Sequence, residues 1–394
     1  MSGPADVARA AGAVCAPGTD PDALAAVLTW SCGPKHRADT LRRRFRDAEQ
    51  DDEVAPAQRL AALARSGGRL DGAVADVAMR IVGIWTRLGV RIALVGDPAF
   101  PAPLAEGWPD LDAPVLLAWR GAPPADVGPG VALVGSRNAS GYGTSVTELL
   151  ASAVARAGGR VVSGGALGID AAAHEAALGR PGGTTVVLGC GHAVPYPAPH
   201  ARRGALFDRV LDDGGTLVSE LLPEVTAHPG VIRARNRIVA GLAEVTVVVE
   251  GGRRSGALLT ATAAVERGRE VLAVPGDILA PGSAAPLRLL SEGARVCTGS
   301  HDLLALLPGI DPTAAWAPRG APAGDSGLPP EVHRVLERAG PRGVSLEELA
   351  LVHPGGAGPL LGLLVRARVA GAVEDVAGGV RLRPGRPPGR PSVR

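Results

Sequence analysis

The chain has 394 residues, long enough for two or three domains with a sizeable core. Hydrophobic residues make up 46% and charged residues 20%, which excludes a disordered chain, and no run of about 20 apolar residues exists to span a bilayer. A net charge of +2 says nothing by itself about nucleic acid. Lys35 is however the sole lysine, so phosphate contacts made by other side-chain cations must come from arginine, a bias that a high-GC genome also produces. Residues 1–6 lack the basic start and apolar core of a signal peptide, so the expected location is the cytoplasm. Cys15, Cys32, Cys190 and Cys297 form no C-x-x-C pair and read as reduced packing thiols; no metal or cofactor is expected.

Residues 1–88 read as small helices, with helical spacing in Ala23-Leu24-Ala25-Ala26-Val27-Leu28 and Gln58-Arg59-Leu60-Ala61-Ala62-Leu63. The basic run Arg42-Arg43-Arg44-Phe45-Arg46 reads as a solvated helix face, with nucleic-acid contact as the alternative. From about residue 90 the pattern changes to strands. Residues 91–96 and 115–119 flank a proline-rich turn, and apolar runs follow at 131–134, 160–163, 184–188, 216–219, 245–250 and 270–274, most separated by helix-length segments. Near-continuous apolar strands alternating with helices predict a parallel sheet covered on both faces. A linker rich in proline, glycine and alanine covers 308–328. Three helices and a hairpin are then expected over 329–385, the outline of a winged helix, with Ser345 and Glu348 spaced as a capping box. A basic tail, 386–394, should be disordered.

Four clusters fall at or near predicted strand ends, where open α/β sheets bind ligands. The first is Gly135-Ser136-Arg137: glycine permits close approach, Ser136 can donate to an oxygen, and Arg137 can fork onto a phosphate. It is neither G-x-G-x-x-G nor a P-loop. The second runs from Ser163-Gly164-Gly165 through Asp170 to His174. Asp170 is read as a helix cap and His174 as structural or orienting, with a catalytic Asp–His pair as the alternative. The third, Arg233-Ala234-Arg235-Asn236-Arg237, leads into an apolar helix and reads as phosphate-binding. The fourth, Gly251-Gly252-Arg253-Arg254-Ser255, reads as an anion-binding helix start with Ser255 as its N-cap. Tyr196, in a proline-rich loop, either stacks on a base or pins the loop.

In order and spacing these segments resemble the DNA-processing protein A family (DprA, also called Smf). The family carries G-S-R, S-G-x-A-x-G-I-D-x-x-A-H, Y-P, R-N-R-I-x-A-G, R-S-G-x-L-x-T and V-P-G segments. They stand here at 135–137, 163–174, 196–197, 235–241, 254–260 and 274–276, and Gly96-Asp97-Pro98-Ala99-Phe100-Pro101 looks like the turn before the family's main domain. The resemblance covers about residues 90–300. It implies an extended Rossmann-like doubly wound α/β sheet at 89–307 that binds single-stranded DNA. It is looser for the helical N-terminal domain at 1–88, of SAM or helix-hairpin-helix type, and for the C-terminal winged-helix domain. It further implies a homodimer that loads the RecA recombinase during natural transformation and is not an enzyme. The DNA-binding candidates are Ser136, Arg137, Gly164, Gly165, Tyr196, Arg235, Asn236, Arg237, Arg253, Arg254 and Ser255. Asp170 and His174 take structural or orienting roles. The chain departs from the family at His200, where asparagine is usual, and at 231–234, where an aromatic–proline pair is usual.

Two other readings stand beside this one. A Rossmann-type nucleoside-monophosphate phosphoribohydrolase would need a P-G-G-x-G-T-x-x-E helix start, and the nearest match, Pro181-Gly182-Gly183-Thr184, supplies no acid. A winged-helix regulator would leave the central arginine clusters without a role.

Overall fold

The computed structural model describes residues 3–32, 38–47, 54–66, 72–106, 108–111, 113–125, 127–311, 328–339, 343–369, 372–376 and 379–382. Lys35, most of the 308–328 linker and the 386–394 tail lie outside the described residues. The chain divides into two compact units, Met1–Ala315 and Trp316–Arg394.

The first unit begins with helices α1 (Pro4–Ala11), α2 (Pro21–Cys32), α3 (Ala38–Asp47), α4 (Pro56–Ser66) and α5 (Gly72–Arg87). A nine-stranded sheet follows. Its strands and connections run β1 (Arg91–Leu94), α6 (Ala102–Ala105), β2 (Leu116–Gly121), β3 (Gly130–Val134), α7 (Gly141–Arg156), β4 (Arg160–Ser163), α8 (Ile169–Ala177) and β5 (Thr184–Val187). The chain continues through α9 (Ala198–Ala201), α10 (Leu206–Asp212), β6 (Thr216–Ser219), α11 (Pro229–Gly241), β7 (Val245–Val248), α12 (Ala257–Glu266), β8 (Glu270–Ala273), α13 (Ala284–Ser291), β9 (Arg295–Val296) and α14 (Ser300–Leu304). The second unit holds α15 (Pro330–Ala339), α16 (Leu346–Val352), α17 (Ala357–Val369) and the antiparallel pair β10 (Val373–Val376) and β11 (Gly379–Leu382). Ser345 caps α16 and Glu348 closes the capping box.

Spatial order in the sheet is β1-β2-β6-β5-β4-β3-β7-β8-β9. The strands from β3 to β9 are parallel, and β1 and β2 are antiparallel additions at one edge. The expectation of a wholly parallel sheet is corrected there. A parallel pairing needs a crossover helix, and the proline-rich segment between β1 and β2 supplies only the single turn of α6. From β3 the chain steps outward through β4, β5 and β6, then returns across the sheet to place β7 on the other flank of β3. The connections after β3 and β7 therefore diverge, which opens a crevice at their carboxyl ends.

Strand alternation divides the core. Ala132 and Val134 face one side, with α11 and α12; Val131 and Leu133 face the other, with α7 and α8. All four are at most 5% exposed, and burial of each valine or leucine contributes about 1.5–3 kcal/mol. The N-terminal helices share the first of these cores, so packing shows no break at residue 88. They are also tied to β1 by hydrogen bonds from Ala16 N to Ile92 O (2.8 Å) and from Ile92 N to Val14 O (2.8 Å). The basic run on α3 is partly engaged: Arg44 lies over the Trp30 ring at 4.9 Å, and Arg46 lies 3.5 Å from Asp110.

Candidate functional site

A groove of about 950 Å³ occupies the crevice between the carboxyl ends of β3 and β7. Three segments build it: the loop 135–140 after β3, the start of the loop after β4, and the loop 249–256 after β7. One flank of α11, the first turns of α12 and Arg288 of α13 complete the wall.

The β3 loop is rigidly seated. Ser140 caps α7 by accepting from Gly143 N (3.0 Å), and Glu250, buried at the end of β7, accepts from Ser140 N (2.9 Å) and from the Ser140 hydroxyl. The next loop packs directly on it. A Cβ on Gly168 would lie 2.3 Å from Ser136 O, and the glycine's φ of +79° is one that side chains resist. Ile169 N donates to the same Ser136 carbonyl (3.1 Å). The Ser136 hydroxyl is occupied locally, donating to Asn138 O (3.0 Å) and accepting from Asn138 N (3.1 Å), so it is not a ready donor to phosphate. Arg137 projects exposed into the groove.

At the end of β4 the amides are not bare. The Asp170 carboxylate accepts from Gly164 N (3.1 Å) and Ala166 N (3.3 Å), filling the nest with the protein's own anion. Asp170 thus closes a loop and does not cap α8, whose N-cap is Gly168. Burial raises its pKa, while Arg235 and the donated hydrogen bonds oppose that shift. Gly164 lines the groove, but Gly165 turns inward, where a Cβ would lie 2.6 Å from Val186. His174 is fully buried and away from the groove lining. Its Nδ1 lies 2.7 Å from Thr184 Oγ1; that hydroxyl donates to Val161 O (2.9 Å), so Nδ1–H donates and Nε2 is left as a partnerless acceptor. Burial, with His200 and Arg235 nearby, holds His174 neutral, its pKa pushed down to about 3.

Helix α11 separates its arginines. Arg235 is 6% exposed and lies under Gly164 on the groove floor, donating to Val187 O (2.5 Å). Its Nε has no hydrogen-bond partner, and burial lowers its pKa against the opposing pull of Asp170. Asn236 donates to Gly256 O (3.1 Å), joining α11 to the start of α12. Arg237 corrects the phosphate-binding expectation: its guanidinium makes two bonds to Glu220, at 2.9 and 2.6 Å, and lies outside the groove lining. Arg233, which the candidate set omitted, is exposed in the groove wall, as is Arg288 on α13.

After β7, Arg254 and Ser255 line the groove, whereas Arg253 faces a neighbouring cleft. Ser255 precedes the true N-cap, Gly256, and accepts from Ala257 N (3.2 Å). Tyr196, half exposed, borders a side cavity of about 50 Å³ with Arg137, Leu167, Ile232 and Arg235. Among the described residues no carboxylate lies within ion-pair distance of Arg137, Arg233 or Arg254. Three uncompensated guanidinium groups therefore converge on an open trough, over a floor where Arg235 and Asp170 offset each other.

Such a trough defines an α/β protein with a cationic groove at the switch point of a parallel sheet, the place where open α/β sheets bind ligands. Residues 91–308 match the family model of DNA recombination-mediator protein A, and the chain belongs to that family. A DprA-type protein of Mycobacterium tuberculosis is 40% identical over 258 residues, which cover 65% of this chain and 63% of that protein. Protein Smf of Escherichia coli is 42% identical over 174 residues, 44% of this chain and 46% of the relative. The matches thus span less than two thirds of either relative. The X-ray structure of DNA processing protein A from Streptococcus pneumoniae superposes with a TM-score of 0.57 at 29% identity, over 72% of this chain and 98% of that one.

Proposed function

We propose that the chain is a single-stranded-DNA-binding recombination mediator. It holds the sugar-phosphate backbone of an incoming strand in the switch-point groove, protects it, and loads the RecA recombinase onto it in natural transformation. It works as a homodimer in the cytoplasm, with the C-terminal unit as a winged-helix accessory. The observation that carries this reading is the convergence of Arg137, Arg233 and Arg254, without carboxylate partners, on one open groove. Asn236, Ser255 and Tyr196 complete its walls. Arg235 orders the floor and contacts the strand only from below.

The reading is one of binding and not of catalysis. The Asp170 carboxylate is occupied by backbone amides and His174 is buried and neutral, so neither is poised as a general acid or base. The Pro181-Gly182-Gly183 turn that would serve a phosphoribohydrolase leads into the amino end of β5, at the sheet edge opposite the groove. Competition between single- and double-stranded oligonucleotides for the full chain tests the proposal. Preference for the single strand is expected; equal or stronger competition by duplex would favour a regulator acting through the C-terminal unit.

A further inference from the structure

Arg288 borders two cavities. One is the switch-point groove; the other is a cleft of about 620 Å³ walled by Arg253, Ile278, Leu279 and Leu287. The consecutive residues Arg253 and Arg254 are divided between them, so the two cavities adjoin along a rim of arginine. Ile278 and Leu279 are 83% and 85% exposed. Single exposed apolar side chains are ordinary, but two adjacent ones between two arginines form an amphipathic wall.

The turn presenting them is ordered. Leu279 N donates to Asp277 Oδ1 (2.8 Å), Ala280 N to Asp277 O (3.0 Å), and the Tyr142 hydroxyl to Pro275 O (2.9 Å). The Asp277 carboxylate is thereby drawn into its own turn. Arg288 pairs with Glu292 at 2.7 Å, but both are more than half exposed, and a phosphate competes readily with so weak a pair. Arg253 has no carboxylate partner among the described residues.

We propose that this cleft is a second subsite for the strand held in the groove, an inference that rests on the groove reading. Arg288 and Arg253 hold the backbone as it leaves the groove, and Ile278 and Leu279 offer an apolar surface to the bases that follow. A nucleotide within a strand combines a singly charged phosphodiester with an apolar base face, which is the pairing the cleft presents. A wholly apolar protein face would match the two apolar side chains but leave Arg253 uncompensated.

The test compares oligothymidylates of about 6 and about 20 nucleotides, lengths that fill one subsite or both. Arg253→Ala, and separately Ile278→Ser with Leu279→Ser, should weaken the longer strand about fivefold and leave the shorter unchanged. The salt slope for the longer strand should fall by about 0.7 in Arg253→Ala. Equal losses at both lengths, or no loss at the longer, would overturn the second subsite. So would a change in sedimentation mass on replacing Ile278 and Leu279 with affinity unaltered, which would make the cleft a protein face. Failure of the groove itself reads differently: Arg137→Ala would then leave both lengths unchanged, and the second subsite would fall with it.

Discussion

Arg235 and Arg237 stand two apart on one helix and serve opposite ends. At 100° per residue, positions 232, 235, 236 and 239 form the row that faces the groove, 233 stands at its margin, and 237 falls beyond it towards Glu220. The sequence showed a dense basic cluster, but direction within it becomes readable only once one member is anchored, here Asn236 on Gly256. Arg288 escaped notice for a related reason, since its i,i+4 spacing to Glu292 is that of an ordinary solvated helix face. The Arg237–Glu220 pair is 13% and 18% exposed. Arg237→Ala should therefore cost about 1–3 kcal/mol of stability by stranding Glu220, with single-strand affinity changed far less than in Arg137→Ala. A urea midpoint beside a polarisation titration checks both halves.

The buried histidines give a pH signature at the same scale. His174 is pushed down to about 3 and His192, whose Nε2–H donates to Ala118 O, to about 4, in each case chiefly by burial. A histidine with a depressed folded pKa stays neutral in the fold while the unfolded chain takes up its proton near pH 6.5. Stability from each is therefore full above that pH and is lost as pH falls towards the folded value, by up to about 1.4 kcal/mol per unit. Replacing His192 with Asn should cost stability at pH 7.5, and that cost should shrink steadily between pH 6.5 and 4.5. A cost independent of pH would contradict the assignment.

At the scale of elements, apolar runs marked the six parallel strands from β3 to β8 closely, because strands buried on both faces carry few charged positions to blur them. The two-residue β9 carries no such signal, with both residues exposed, and the antiparallel edge depends on a connection that composition alone does not orient. The glycine-rich loops were legible as close-packed turns. That Asp170 reaches back six residues to fill one nest with its carboxylate is not readable from the sequence. Contact between the first two loops sets the groove's shape. Gly168→Ala should consequently lower stability by about 1–3 kcal/mol and weaken strand binding as well, through displacement of the 135–138 segment. Thermal unfolding and titration of the same variant would show the two effects together.

At the scale of the whole molecule, the Trp316–Arg394 unit has its own core of leucines and valines. Between residues 328 and 382 it carries six arginines and six carboxylates, and the net positive charge of the whole unit comes from Arg383, Arg386, Arg390 and Arg394. The exposed positions on α17 include the apolar Leu361 and Val365 beside Arg366 and Arg368. Because every residue lining the groove lies in the Met1–Ala315 unit, a chain ending at Ala315 should keep single-strand affinity within about threefold at moderate salt. A tenfold loss would shift the interface to the C-terminal unit.

The central claim concerns the uncompensated arginines of the groove, and a salt titration of single-strand affinity in Arg137→Ala tests it most directly. Removal of one phosphate contact should lower affinity at least about tenfold and reduce the slope of log affinity against log salt by about 0.7, with the fold unaltered by circular dichroism. Affinity and slope equal to the unsubstituted chain would contradict it.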